Sequence, residues 1–536
     1  MPRGPARFPV TAAELGLAHD VALAAVAYGD PGDAAAARTL LAGVTRRVAA
    51  LPARARRALD GTGIAGTEVR TSFAWPVAAW LGRHAAEHAD IDWPRVGDPA
   101  RLDPLLRALV LRAEEDEFDS GDIGTREWLR LAEGGRAPGD LAWLAHAVAA
   151  SGRSRAWEAL WDALEVPVRW RLHGSRWSAT LLTAPWRPPR PATGAIAPRR
   201  PPADAPAHIA TPLRGIRRAR GREAQDWLDV ATAALAARAR EVHAITHANP
   251  DEVWLAPLGR DTTLAIIGIA PPWRLSLEAN YGWLATVRGI PVAYGGVSPL
   301  GAQANTGIHV FPPFRGREAA WLWAGALRAF ATCFGVRRFV VNPVQIGEDN
   351  ADAIASGAFW FYWRLGFRPV DARIAADAAR EAARRSTGPA HRTPPAALAA
   401  FAAADVALTL PGAPAYAPFD ERALVAAAHG VTQRLAAGGS RWRALADLQR
   451  DVAALLGAPG RRAWSPAEIR AFERLAPVVA LVAPQVARWA PSRKRALLAM
   501  MQAKGAPQER TYVRAMQRVP GFWQALAAWG RAHPPG

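Results

Sequence analysis

The sequence predicts an α/β protein: a central mixed sheet with helices on both faces, set between two mostly α-helical domains. Three observations carry that prediction. Residues 308–370 run apolar strand, basic turn, apolar helix, apolar strand and second helix without interruption. Helical periodicity fills Thr11 to about Leu164, and it returns from Leu424 to Trp529. The expected organisation is a helical domain over 1–165, a hairpin over 166–184, a Pro/Arg-rich linker over 185–212, an α/β domain over 213–412 and a helical domain over 413–536.

In the N-terminal part, Leu105, Leu106, Leu109, Val110 and Ala113 make one apolar face, and Trp143, Leu144, Val148 and Ala149 another. Two stretches there have metal-like spacing. His84-Ala85-Ala86-Glu87-His88 has the form of the inverted zinc motif, in which two histidines on one helix face flank a glutamate base. Its surroundings do not resemble those peptidases, and it reads as a solvated helix end. Asp116–Glu127 is similar to an EF-hand loop, yet Phe118 at the third position offers no oxygen, so it reads as an acidic turn between helices. No metal is expected.

Val168, Trp170 and Leu172 alternate, which gives the hairpin over 166–184. Pro185–Pro212 has almost no apolar periodicity and reads as a mobile linker. Between Arg169 and Arg222 a dozen arginines stand against Asp204 as the only acid. A helix is expected next, over 222–247, with Trp227, Leu228, Ala231, Ala234, Leu235 and Val242 on one side. His243 and His247 suit the negative end of its dipole, and Asn249-Pro250 ends it.

Val253–Leu255 and Thr263–Ile269 read as strands, and Trp283–Arg288 with Pro291–Gly296 as a hairpin turning at Gly289-Ile290. The next strand, Gly307–Phe311, is stopped by Pro312-Pro313. Arg315-Gly316-Arg317 turns the chain into Ala319–Phe334, where Trp323, Leu327, Phe330, Ala331 and Phe334 recur at helical spacing before Gly335. Arg338–Val341 is the following strand, so the crossover leads to a parallel or splayed neighbour.

These residues resemble a known family, the GCN5-related N-acetyltransferases, over about 214–410. Val310-Phe311-Pro312-Pro313-Phe314-Arg315-Gly316 is similar to the family's approach to its pyrophosphate turn. Ala358–Phe367, with Phe361-Tyr362 and Leu365-Gly366-Phe367, is similar to its fourth helix and the Leu-Gly-Phe after it, and Ala404–Leu410 looks like its closing strand. The resemblance implies an acyl-CoA-dependent N-acyltransferase using acetyl-CoA or another acyl-CoA. Backbone N–H groups at Arg315, Gly316, Arg317, Glu318, Ala319 and Ala320 would hold the pyrophosphate, the strand edge at Ile308, Val310 and Phe311 would pair with pantetheine, and Tyr362 would be the general acid. The acceptor would be a small-molecule or peptide amine, and Glu278, Glu348 and Asp349 are candidate bases by chemistry alone. One departure matters. Glu318 stands where the family's turn has a glycine, and a carboxylate at a helix N-terminus competes with a phosphate. The alternative is therefore a non-catalytic scaffold or binding protein on the same fold, meeting protein partners through its helical flanks.

A formal charge of +19 and a pI near 11.2 point to nucleic acid, anionic membrane or acidic ligands. Lys494 and Lys504 are the only lysines, and so arginine-heavy a composition is what GC-rich coding produces, which makes a diffuse basic surface the simpler reading. Nucleic-acid binding is a third reading, resting on charge and the arginine-rich linker alone. Cys333 is the only cysteine, which excludes an intrachain disulfide, and it reads as a small core residue. No apolar run has the length of a membrane span, and His19 and Asp20 interrupt the stretch behind Arg3 and Arg7, so a cytoplasmic protein without a secretory signal is expected.

Overall fold

A computed structural model describes residues 11–534 except 136, 153, 187–193, 198, 317, 389, 414–420, 438, 459 and 461. It is a mixed α/β structure built on one large mixed sheet.

The N-terminal part opens with two packed helices, Ala12–Tyr28 and Pro31–Ala50. The first has a reciprocal cap: Thr11 accepts from the Glu14 N–H, and the Glu14 carboxylate accepts from the Thr11 N–H. A three-stranded antiparallel sheet comes next, made of β1 (Glu68–Ser72), β2 (Ala89–Ile91) and β3 (Pro167–Arg171), with β3 in the middle. The expected hairpin over 166–184 is therefore not formed. The alternation is real, since Val168, Trp170 and Leu172 are all buried, but β3 pairs with two strands far upstream of it. Residues 177–182 turn instead, and the Ala179 N–H reaches the Gly63 carbonyl.

The linker expected over 185–212 is docked wherever it is described. Ile196 is buried and its N–H donates to the Tyr28 carbonyl at 2.7 Å. Asp204 caps a short helix, Ala205–Ala210, which packs on the helix Ala319–Phe334. The anchors of this segment leave no periodic pattern: Ile196, Ala205 and Ile209 join the core singly, and arginines bond its carbonyls. Arg328 donates to the carbonyls of Thr211 and Pro212, and Arg288 to those of Gly29 and Gly194.

The large sheet holds β4 (Arg217–Ala219), β5 (Ala248–Gly259), β6 (Thr262–Ile269), β7 (Tyr281–Val287), β8 (Ile290–Leu300), β9 (Gln303–Thr306), β10 (His309–Val310), β11 (Arg338–Val341), β12 (Arg368–Pro369) and β13 (Val406–Thr409). Its order is β12-β13-β11-β9-β8-β7-β6-β5-β4, with β10 also on β8. Every pairing is antiparallel except β9 with β11. That exception follows from the crossover helix between them. The β5–β6 and β7–β8 turns place Arg260-Asp261 and Arg288-Gly289 at positive φ, the two-residue turn that suits twisted hairpins. The second turn sits one residue earlier than expected. All seven residues of β7 are buried, as in a strand covered on both faces.

The helix expected over 222–247 stops at Ala236, where the chain bends through Ala239 at φ 51°, and resumes only over His243–Thr246. His247 is the C-cap residue of that short helix, its N–H on the His243 carbonyl, but it does not carry the exposed positive charge expected there. It is buried, stacked on Trp273 at 4.6 Å and 3.4 Å from Glu158, and burial pushes it down to about 4. Of the two metal-like stretches, the first is the helix end expected and the second folds otherwise. The helix carrying His84 ends there, so His84 and His88 do not share its face, and His84 stacks on Trp80. Glu115–Ser120 is helical rather than a loop, and Phe118 packs edge-on against Trp128.

The C-terminal helices include Glu421–Ala436, Pro466–Leu481, Pro491–Ala503 and Arg510–Met516, and they are locked to the sheet domain. Arg510, Arg514 and Gln517 donate to the carbonyls of Thr332, Cys333 and Phe334. They satisfy the open end of the crossover helix. Beside them Glu252 accepts from Tyr281 Oη at 2.8 Å and from the N–H groups of Glu509 and Arg510 at 2.7 and 2.8 Å. No described helix is long and apolar enough to cross a membrane.

Candidate functional site

The sheet forks at its one parallel pair. β9 and β10 keep one register on β8, with Thr306 opposite Val297 and His309 opposite Tyr294. The parallel pairing with β11 ends at Asn305, opposite Val340. Past that point the strand edge at Ile308 and Val310 is free of β11. Gly295 makes the local approach possible, because a Cβ there would overlap the Gly307 carbonyl oxygen.

Two side chains fill the fork. The helix Ala358–Arg364 brings Tyr362 beneath it, with the Ile308 main chain near enough to its hydroxyl to pull its pKa down against burial. Tyr362 is buried against Phe367, and burial pushes its pKa well above the usual phenol value, so the group stays protonated. Gln345, from the short helix after β11, lies where a side chain on Gly307 would go. Of the candidate bases, Glu348 and Asp349 are exposed just beyond Gln345, with Asp349 at φ 48°. Glu278 lies elsewhere, on the C-terminal interface, where its carbonyl accepts from Lys504 Nζ.

Downstream the chain makes a tight turn at Pro312–Phe314 and passes through Gly316 at φ 75° to the crossover helix, Ala319–Phe334. Arg317 lies outside the described residues. Glu318 is the N-cap residue, but its side chain makes no capping bond. It turns inward and is only 3% exposed. Among the described residues its nearest cation is Arg199, with Nε at 3.6 Å, too long for a hydrogen bond, and the Arg199 guanidinium lies 3.5 Å over the Trp321 ring. Desolvation raises the Glu318 pKa against the pull of Arg199 and Tyr28. The N-terminal helix seals the same place, with Tyr28 packed 6.2 Å from the Phe314 ring.

A basic strip borders the strand edge. Arg238 lies 4.1 Å over the Phe311 ring, and burial pushes it down to about 10. His309 stacks on Tyr294 at 5.1 Å, and burial, then Arg240 and Arg315, hold it below its ordinary value. Arg240 and Arg315 are exposed.

The structure thus brings together Ile308, Val310, Phe311 and Tyr362 at the fork and Arg315, Gly316, Glu318, Ala319 and Ala320 at the helix start. It adds Tyr28, Arg199, Arg238 and Gln345, none of which the sequence singled out. Arg199 sits in a stretch with no periodicity to mark it, and Tyr28 comes from another part of the chain. Cys333 is buried with its thiol pushed up to about 11, as a core residue rather than a nucleophile. Comparison with family models, curated proteins and solved structures finds no match.

Proposed function

We propose that residues 213–412 form a divergent domain of the GCN5-related N-acetyltransferase type whose cofactor position is closed by the chain itself, making the protein a non-catalytic scaffold or binding protein. The family likeness is supported by the order of the sheet, its single parallel pair and the fork beside that pair. Closure rests on one observation. The Glu318 carboxylate is buried at the start of the crossover helix, beside the N–H groups that an acyl-CoA diphosphate would need. Tyr28 and Arg199 face it from outside the domain. A diphosphate arriving there would meet a like charge and a covered turn.

The test is isothermal titration with acetyl-CoA and with CoA. The wild type is expected to show no binding at micromolar ligand, and Glu318→Gly, which removes the charge and the Cβ, to bind. Tight binding by the wild type would overturn closure.

A second reading, an acyl-CoA-dependent N-acyltransferase, is favoured by the Tyr362–Ile308 contact and the basic strip of Arg240, Arg315 and His309. There Tyr362 would give its proton to the departing CoA thiolate after attack by an acceptor amine. In that case Tyr362→Phe lowers turnover and leaves acetyl-CoA affinity unchanged.

A further inference from the structure

On the N-terminal part, away from the fork, a cleft of about 630 Å³ opens at the end of β1 and the start of β3. Three arginines line it from three separate elements: Arg70 on β1, Arg95 on the short helix Trp93–Val96 and Arg101 on the turn Pro99–Leu102. Arg70 is balanced, with Glu68 at 2.8 Å and Asp92 at 3.6 Å. Arg95 and Arg101 have no carboxylate within 4.0 Å among the described residues. Main-chain carbonyls hold them instead. Arg95 Nη1 donates to the Arg70 carbonyl at 3.3 Å, and Arg101 donates to those of Val96 and Leu164 at 3.3 and 3.4 Å. Each bond uses part of a guanidinium and leaves other N–H donors free.

We propose that this cleft binds a small phosphorylated polyol, with its phosphate on Arg95 and Arg101. Two guanidiniums with no carboxylate in salt-bridge contact match the nearly double charge of a phosphate monoester better than the single charge of a carboxylate. Asp162 and Glu165 also line the cleft, and they are acceptors suited to hydroxyl groups on the rest of the ligand. One Asp162 oxygen is already fixed by the Trp75 N–H at 3.1 Å, which sets its position. The space lies within the ~300–1,000 Å³ of small-molecule sites, more than a bare phosphate fills.

The experiment is calorimetric titration of the full chain with glucose 6-phosphate, inorganic phosphate and glucose, on the wild type, Arg95→Ala/Arg101→Ala and, as a control for net charge, Arg373→Ala. Saturable binding of glucose 6-phosphate is expected, weakened about tenfold or more by the double substitution and unchanged by Arg373→Ala. Inorganic phosphate should bind more weakly, and glucose not at all. Arg95→Lys keeps the charge and loses the fork geometry, and should weaken binding even where the double variant folds poorly. The proposal is overturned if glucose 6-phosphate shows no saturation by about 10 mM. It is equally overturned if a folded Arg95→Ala/Arg101→Ala binds like the wild type, which would assign the affinity to the diffuse basic surface. Equal affinity for phosphate and glucose 6-phosphate would overturn the role of Asp162 and Glu165.

Discussion

Glu252 is fully buried, and desolvation pushes its carboxyl up to about 7 although three donors point at it. A carboxyl whose folded pKa lies above its unfolded value adds stability below the unfolded pKa and loses it as pH rises through the folded one. The window here is pH 4.5 to 7. Across it this one group is expected to cost the fold about 3 kcal/mol, read as a falling midpoint in urea titrations, and Glu252→Gln should flatten that slope. A wild-type slope unchanged by the substitution would assign the pH dependence to other groups. Little of this was legible in the sequence. Glu252 sits beside Pro250 and Asp251 in what reads as a solvated turn, and its donors Glu509 and Arg510 lie 257 and 258 residues away. The substitution of Glu318 for glycine was legible as a departure from a pattern. Which way its side chain turns depends on Arg199 and Tyr28, and no local rule supplies them.

Among the elements, strands and helices set by local pattern came out close to expectation. The crossover helix runs over Ala319–Phe334 with Gly335 in the left-handed conformation, and β11 and β13 fall on the runs Arg338–Val341 and Ala404–Leu410. The misses share a cause. β3 alternates like half of a hairpin, but its neighbours are β1 and β2, and strand pairing across a long separation leaves no mark in either strand. The described part of 185–212 is held by single core residues and by arginine bonds to carbonyls, which hydrophobic periodicity cannot register. The fork also yields a prediction at this scale. Gly295→Ala would drive a methyl group into the Gly307 carbonyl and the Trp283 ring, so it should destabilise the protein by about 2 kcal/mol or more in urea unfolding. A neutral result would mean that β8 and β9 can part there without loss.

For the whole molecule, most of the buried apolar side chains form one contiguous cluster from Ala22 to Ala527, beside a small second one of Leu15, Val44, Val48, Leu59 and Ile64, so the three expected domains share a core. Arg288 ties a hairpin turn to Gly29 and Gly194, and Arg510 and Arg514 tie the C-terminal helices to the crossover helix. Denaturant unfolding should therefore be one transition, with tryptophan fluorescence and far-ultraviolet circular dichroism coincident. Two separated transitions would show that the flanks fold independently. The seal on Glu252 has a consequence for synthesis. The carboxylate is made long before the N–H groups that satisfy it, which belong to Glu509 and Arg510. Until those leave the ribosome, Glu252 in the nascent sheet has Tyr281 but lacks its two backbone donors, and the end of the crossover helix lacks its arginines. A chain truncated before Glu509 would lack both backbone donors to Glu252 and the arginine bonds to the carbonyls that end the crossover helix.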